Sequence, residues 1–192
     1  MKLKTLTHVF DYEWEDVASA SWRKYPTACR PDILSVDTVS RRFDPETGKL
    51  WTVRLITTSI SLPGWMKAFF SNPVAYSVEE CEVDPVQRTM LLRTRNITAA
   101  DVTEVEESCF YTPHADDEGR TTLQQNVRIT AHVFGLAGRV EALFLEKFEV
   151  NAIKGREVMV DAVKRVQAEM DDFVALYRLR MQQDAPFFMG AE

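Results

Sequence analysis

The sequence predicts an α+β fold, in which an antiparallel sheet is followed by one long C-terminal helix. Two observations lead to this prediction. Strand-like runs separated by short turn signals occupy most of the chain up to residue 133, without the regular alternation of strands and helices that a parallel sheet requires. From residue 136 to about residue 183, apolar side chains instead recur at helical spacing. A long helix laid over a curved sheet would leave a groove between the two.

The first two predicted elements are a strand and a short helix. Residues 1–10 alternate weakly and predict an opening strand. Asp11 is then placed to cap a helix over residues 12–25, where apolar side chains recur at helical spacing. Pro26 ends the helical pattern, and Lys24 lies in its last turn.

Six further strand-like runs follow, and turn residues separate them. Residues 44–48 have the Asp, Pro and Gly chemistry of a hairpin loop, and Asp84-Pro85 marks another turn. A polar loop is predicted over residues 113–120. The six strands are predicted at residues 33–42, 50–59, 75–83, 89–96, 102–111 and 121–133. Their succession is that of an antiparallel meander.

The C-terminal helix, predicted over residues 136–183, carries one apolar stripe. Its predicted members are Val140, Phe144, Phe148, Met159, Ala162, Val166, Met170, Phe173 and Tyr177. Gly155 marks a bend or a close approach of another element. Residues 184–192 are predicted to form a frayed tail, in which Phe187 and Phe188 have no assigned role.

Length, charge and composition argue against several classes of protein. The 192 residues suffice for one ordinary domain with a substantial core. The net charge of -6 argues against nucleic acid as the main partner, because phosphate binding favours a basic balance. No apolar run is long enough to span a membrane, and residues 1–10 lack a signal-peptide core, so we expect a soluble protein that keeps its N-terminus. Cys29, Cys81 and Cys109 lack metal-ligand spacing, so we expect reduced thiols and no metal site.

Residues 61–72 form an unusually apolar loop. Its large apolar residues stand between a Pro-Gly turn signal and the breaker Asn72-Pro73. They are Leu62, Trp65, Met66, Phe69 and Phe70. Their spacing favours a short amphipathic turn, which either packs on the core or acts as a lid over an apolar cavity. Such a lid would meet a membrane surface when it opens, because interfacial segments combine Trp, Phe and Leu with a lysine such as Lys67.

Two lysines and an asparagine lie in line on the C-terminal helix. Lys147, Asn151 and Lys154 are spaced i, i+4 and i+7, on the same stripe as the apolar Val140 and Val158. An unpaired ammonium group is costly to desolvate, so these lysines would need a counter-charge if buried, and a bound anion would supply it. Alternatively, this part of the stripe drifts to the helix surface, where lysines are ordinary. Lys24 could join the group only through the fold.

The sequence lacks the common catalytic motifs. The sequence has no G-x-S-x-G, H-E-x-x-H, Cys-x-x-Cys, phosphate loop or G-x-G-x-x-G, so we expect a protein that is not an enzyme. Glu104 and Glu106 share one strand face, while Glu107 points to the other. The first two could form a carboxylate pair for acid-base hydrolysis, but a polar sheet face explains them as well.

Several short strings occur in a fixed order over about residues 1–170. They are Lys24-Tyr25-Pro26, Arg54-Leu55-Ile56 leading to Leu62-Pro63-Gly64-Trp65, Val83-Asp84-Pro85, Asn96-Ile97-Thr98, Val105-Glu106-Glu107 and Lys154-Gly155-Arg156. In this order and with these gaps, the chain closely resembles the PRELI/slowmo family of intermembrane-space phospholipid transfer proteins.

The resemblance implies a curved antiparallel sheet of about seven strands, closed by helices and a lid loop around one lipid cavity. This architecture is similar to that of steroidogenic and phosphatidylinositol carriers. The lipid-transfer domain would span residues 1–172, and residues 173–192 would be the helix end and tail. The implied role is to shuttle an anionic phospholipid between the outer and inner mitochondrial membranes, with the lipid as cargo and no cofactor. The implied partner is a small twin Cys-x9-Cys helical-hairpin protein of the intermembrane space, and membrane contact would be transient.

The resemblance also implies roles for individual residues. Lys147, Asn151 and Lys154 match polar positions of the family's headgroup site, and Lys24 falls where the family has a basic residue. The phosphatidic-acid branch has a lysine at the position of Thr58, so Thr58 favours phosphatidylserine as cargo.

Residues 112–117 and 123–125 likewise look like the slowmo branch, which is similar to phosphatidylserine carriers. A phosphatidic acid carrier, or a membrane tether that carries no lipid, is the alternative. The lid residues implied for membrane contact are Leu62, Trp65, Met66, Lys67, Phe69 and Phe70.

Overall fold

The computed structural model describes residues 1–66 and 73–183, and within these residues it has seven strands and two α-helices. The elements are β1 (Lys2–Phe10), α1 (Trp14–Ser21), β2 (Ile33–Phe43), β3 (Leu50–Ser59), β4 (Val74–Asp84), β5 (Thr89–Asn96), β6 (Thr103–His114), β7 (Asp117–Ala131) and α2 (Ala137–Gln183). A short 3-10 turn spans Gly64–Met66. None of the described helices is both long enough and apolar enough to cross a membrane.

The strands form one curved antiparallel sheet in the order β1-β7-β6-β5-β4-β3-β2. From β2 to β7 each strand pairs with the next, as the predicted meander requires, and α1 carries the chain from one edge strand to the other. The β2–β3 hairpin forms at the predicted turn. There Gly48 has a φ of +70°, a conformation that glycine adopts without steric cost.

Three predicted boundaries are wrong. Helix α1 ends at Ser21 and not at residue 25, so Lys24 lies beyond the helix and not in its last turn. Helix α1 begins after Glu13, whose side chain makes no capping bond, whereas Asp11 forms an ion pair with Arg120 at 3.3 Å. The predicted polar loop at residues 113–120 is a tight hairpin, because its polar residues continue the pairing of β6 with β7. Polar side chains are tolerated at this end of the sheet since they are mostly exposed.

The helices cover one face of the sheet, called here the inner face. Most buried apolar side chains in the described part of the chain belong to three separate clusters. The largest joins α1 and the middle of α2 to β1 and β4–β7, with Phe10, Trp14, Leu92, Tyr111 and Met159 among its members. The second gathers Met66, Ala131 and Val140, and the third Val127, Ile129 and Phe148. Along the strands, the inner face between the first cluster and the other two is occupied by polar side chains.

Helix α2 extends beyond the sheet. It has 47 residues, so it is about 70 Å long. The described side chains from residue 168 to residue 181 are exposed, and Met170, Phe173 and Tyr177 are 58%, 64% and 55% exposed. The prediction that these three residues belong to the buried stripe is wrong, because the helix continues past the structure that it packs against.

Candidate functional site

A row of polar side chains crosses the inner face of the sheet. Arg54, Glu79, Thr94 and Glu107 are successive cross-strand neighbours on β3, β4, β5 and β6. Gln125 on β7 extends the row by donating from Nε2 to Glu107 Oε1 at 2.7 Å. The row carries one cation and two carboxylates and lies beside the largest apolar cluster. The sequence analysis did not single it out, although Arg54 and Glu79 each stand two residues from a buried side chain on the same face.

Arg54 and Glu79 form a closed ion pair. Both residues are 6% exposed, and Arg54 Nε donates to Glu79 Oε1 at 2.7 Å. A terminal guanidinium nitrogen of Arg54 donates to the same oxygen, and the guanidinium lies 4.8 Å from the Trp22 ring centroid. Two buried charges that neutralise each other and share hydrogen bonds need no further ligand.

Arg30 and Asp32 form a second closed pair in the loop between α1 and β2. Arg30 is buried, and its Nε and a terminal nitrogen donate to the two Asp32 oxygens at 2.8 and 2.7 Å. These bonds hold the pKa of Asp32 below its usual value, and the charge of Lys154 adds a smaller contribution in the same direction. Lys154 of α2 therefore lies within electrostatic reach of this loop.

Lys24 lies in the same loop, just after α1, and is half-buried. Its ammonium group is 5.2 Å from the Tyr25 ring centroid. Burial opposes its charged form, but the attraction of Tyr25 and Glu79 outweighs burial and raises the pKa of Lys24. Lys24 is therefore a cation at neutral pH, and it forms no ion pair with the residues that the structure describes.

The predicted stripe of α2 is buried at both ends and open between them. Val140 and Val158 are 0% and 1% exposed, whereas Asn151 and Lys154 are exposed. Lys147 is half-buried and donates from Nζ to the Ser61 carbonyl at 2.9 Å. The alternative prediction, in which the stripe drifts to the helix surface, therefore holds for Asn151 and Lys154. Lys147 instead contacts Ser61 at the start of the lid loop.

Thr58 and the end of β3 lie beside this stripe. Ser59 donates its amide to the Asp32 carbonyl at 2.7 Å, so the end of β3 adjoins the loop that Lys154 reaches. Thr58 lies four residues after Arg54 on β3 and therefore on the same inner face. Its hydroxyl donates to the Ala75 carbonyl at 3.3 Å. Contacts and electrostatic reach therefore link Lys24, Thr58, Lys147 and Lys154 to the loop between α1 and β2 or to the start of the lid, whereas Asn151 is exposed on α2.

The described part of the lid loop packs against the start of α2. Met66 is fully buried beside Val140, and Leu62 and Trp65 pack around them. The Arg139 guanidinium lies 4.6 Å from the Trp65 ring centroid. This half of the loop packs on the core, as one of the two interpretations predicts. The remaining predicted lid residues, Lys67, Phe69 and Phe70, lie outside the described residues, as do Phe187 and Phe188.

The carboxylates considered for acid-base chemistry lie on the outer face of the sheet. Glu104 and Glu106 are exposed there, and Glu107 points inward, which confirms the predicted faces. Glu106 forms an ion pair with Arg128, and Glu104 lies 3.5 Å from His132 Nε2. Among the described residues, no group of three or more His, Cys, Asp or Glu side chains could hold a metal ion.

Comparisons with known proteins agree with this architecture. Residues 15–169 match the model of the PRELI-like family. The chain is 37% identical to Protein slowmo homolog of Dictyostelium discoideum over 174 residues, which are 91% of this chain and 76% of that protein. It is 32% identical to Protein UPS2, mitochondrial, of Saccharomyces cerevisiae over 88% of this chain and 75% of that protein.

Solved structures share the fold at low identity. The crystal structure of TTHA0849 from Thermus thermophilus superposes with a TM-score of 0.59 at 12% identity, covering 86% of this chain and 99% of that one. The Zhui aromatase/cyclase from Streptomyces sp. R1128 gives a TM-score of 0.57 at 13% identity, with 86% and 96% covered. These similarities concern the fold alone.

Proposed function

The chain belongs to the PRELI-like family, and from this premise we propose that it is a mitochondrial phospholipid transfer protein. The observation that carries the proposal is the polar row beside apolar clusters, together with nearby lysines that form no ion pair among the described residues. Lys24 has no ion pair among the described residues, and Lys154 is exposed beside the same loop. An amphiphile with an anionic head and apolar tails complements such an interior.

Headgroup binding would use the cations around the loop between α1 and β2. Lys24, Lys147 and Lys154 would neutralise the phosphate, and Asn151 would donate a hydrogen bond to it. Lys147 has three donors, so its bond to the Ser61 carbonyl leaves others free for a ligand. Each buried methylene of the acyl chains would add about 0.8 kcal/mol, so release of the lipid needs a trigger.

The trigger we propose is opening of the lid at an anionic membrane. Trp65, Met66, Phe69 and Phe70 would then leave the mouth of the cavity and enter the headgroup layer, with Lys67 near the lipid phosphates. In the described half of the loop, this movement would withdraw Met66 from its buried contact with Val140. Closure would re-form that contact in water.

Phosphatidylserine is the cargo that we favour over phosphatidic acid. Thr58 supports this choice, because it is uncharged on the inner face and its hydroxyl is already bonded to the Ala75 carbonyl. This position therefore supplies no lysine charge in addition to Lys24, Lys147 and Lys154 for the doubly ionised phosphate monoester of phosphatidic acid.

The proposed location is the intermembrane space, where a small twin Cys-x9-Cys helical-hairpin protein would be the partner. The exposed apolar residues on the end of α2, such as Phe173 and Tyr177, support the need for one.

Native mass spectrometry with lipid extraction, on the protein co-expressed with such a partner, tests the proposal. One phosphatidylserine per chain is the expected result. One phosphatidic acid would keep the carrier function and overturn the headgroup assignment. No lipid after incubation with mixed anionic vesicles, together with vesicle clustering, would replace the carrier by a tether. In a vesicle-to-vesicle assay, Lys147→Ala combined with Lys154→Ala should slow transfer about tenfold or more, and unchanged transfer would refute the roles of both lysines.

A further inference from the structure

The charges of the inner face do not all form pairs. Arg54 pairs with Glu79, and Arg30 pairs with Asp32. Among the charged residues of the polar row and of the loop between α1 and β2, all of which the structure describes, this leaves Lys24 and Glu107 without an ion pair. Their signs are opposite, so they could neutralise a ligand that itself carries both signs.

Glu107 is half-buried and is bonded only to neutral groups. Its Oε1 accepts from Gln125 Nε2 at 2.7 Å and from the Cys109 thiol at 3.3 Å. In the described part of the chain, no hydrogen bond reaches its Oε2. Arg30 lies within electrostatic reach of Glu107, but its guanidinium is held in two bonds by Asp32. A partly buried carboxylate without a cation is unfavourable, so this position suits a positively charged ligand group.

The Cys109 thiol contacts Glu107 at 3.3 Å and lies within electrostatic reach of Lys24. The charges of both Lys24 and Glu107 act on it, and burial is the main cause that raises its pKa well above the usual value. Cys109 therefore stays a neutral thiol and does not itself neutralise Lys24. A cation and an anion that form no ion pair among the described residues thus both act on the Cys109 thiol at the inner face.

We propose that the Glu107 carboxylate binds the ammonium group of the phosphatidylserine head and thereby determines specificity for an amine-bearing phospholipid. This inference rests on the proposed lipid-transfer function. The phosphate would face Lys24, and the amine would lie against Glu107, so that both unpaired charges are neutralised in one step. Phosphatidic acid has no amine, and its phosphate would leave Glu107 unneutralised and be repelled by it.

The test compares two adjacent glutamates on opposite faces of β6. Glu107→Gln removes the inward charge at nearly constant volume, and Glu106→Gln is the matched control on the outer face, where Glu106 pairs with Arg128. Vesicle-to-vesicle transfer is measured for phosphatidylserine and phosphatidic acid with the full chain and its partner. Glu107→Gln should lower the phosphatidylserine-to-phosphatidic-acid rate ratio by about tenfold or more, since a hydrogen bond between charged groups is lost. Glu106→Gln should keep the wild-type ratio.

An unchanged ratio in Glu107→Gln overturns the inference, and so does an equal loss for both lipids in a variant that melts like the wild type. If Glu107→Gln folds poorly, changing the lipid instead of the protein still tests the inference. Wild-type protein should transfer N-acetylated phosphatidylserine, which lacks the cationic amine, at least about tenfold more slowly than phosphatidylserine. Equal rates would overturn the role of Glu107 while leaving the carrier intact. Wild-type protein that transfers none of these lipids would instead refute the proposed function.

Discussion

Glu79→Leu, with Arg54 retained, tests whether the charges of the polar row stabilise the sheet or serve the cargo. The substitution leaves the Arg54 guanidinium, 6% exposed, on the inner face without its counter-charge. Removing one partner of a buried ion pair costs about 3–5 kcal/mol. We expect the lower end of this range, because Arg54 keeps its contact with the Trp22 ring at 4.8 Å.

The expected loss can be measured as a change in melting temperature. For a domain of this size, 1 kcal/mol corresponds to about 2–4 °C, so a loss of about 3 kcal/mol lowers the melting temperature by about 6–12 °C. Arg54→Met combined with Glu79→Leu should recover most of the loss, since an apolar pair often replaces a buried ion pair without net cost. Glu106→Gln, which breaks an exposed pair, should change stability by at most about 1 kcal/mol.

Urea and thermal unfolding followed by tryptophan fluorescence would give these values. Lipid content must be the same in all samples, because a ligand that binds only the folded state raises its apparent stability. A loss below about 1 kcal/mol in Glu79→Leu would show that the guanidinium is not effectively buried. A double variant as unstable as the single one would show that the cost comes from lost packing and not from the unpaired charge.

Two further predictions follow from the pKa shifts. Because hydrogen bonds from Arg30 hold the pKa of Asp32 below its ordinary value of 3.8, the stability from this carboxylate is present above that pH and lost as pH falls through the lower folded value. In Asp32→Asn, the free energy of unfolding should therefore decrease less steeply as pH falls below about 4. A slope equal to that of the wild type would contradict this. Burial raises the pKa of Cys81 to about 12 and that of Cys109 well above its usual value, whereas Cys29 is exposed. Iodoacetamide should label Cys29 in the folded protein and the other two only in denaturant, as intact mass would show, and rapid native labelling of Cys109 would refute the burial argument.

The elements themselves could be predicted because their signals are local. Alternation and turn residues predicted five of the seven strands, β1 to β5, to within about one residue at both ends, including the hairpin at Gly48. The end of the β6–β7 hairpin was missed, since polar residues at an exposed strand end resemble a loop. The apolar pattern of α2 was identified correctly. Spacing does not show where a helix extends beyond the sheet, so Phe173 and Tyr177 were wrongly predicted to be buried.

The polar row could not be predicted, because it depends on the register of four strands. Alternation places Arg54, Glu79 and Glu107 on definite faces of their own strands, but a shift of one residue in pairing would separate them. Lys24 adds a further non-local step, since it reaches the row through the loop after α1. The lysines of α2 could be singled out from spacing, whereas their proximity to Asp32 and Ser61 required the fold.

Pairing of charges distinguishes the residues that hold the fold from those available to a ligand. A charge whose hydrogen bonds and counter-charge are supplied by the chain, as for Arg54 and Glu79, gains nothing from a ligand, and its removal acts on stability. A partly buried charge that forms no ion pair among the described residues, such as Lys24 or Glu107, remains available to a complementary ligand, so its replacement acts on binding. Glu79→Leu should therefore lower the melting temperature of the lipid-free protein, whereas Glu107→Gln should leave that temperature nearly unchanged and alter lipid preference. If both variants lowered the melting temperature equally, Glu107 would belong to the structural charges and not to the lipid site.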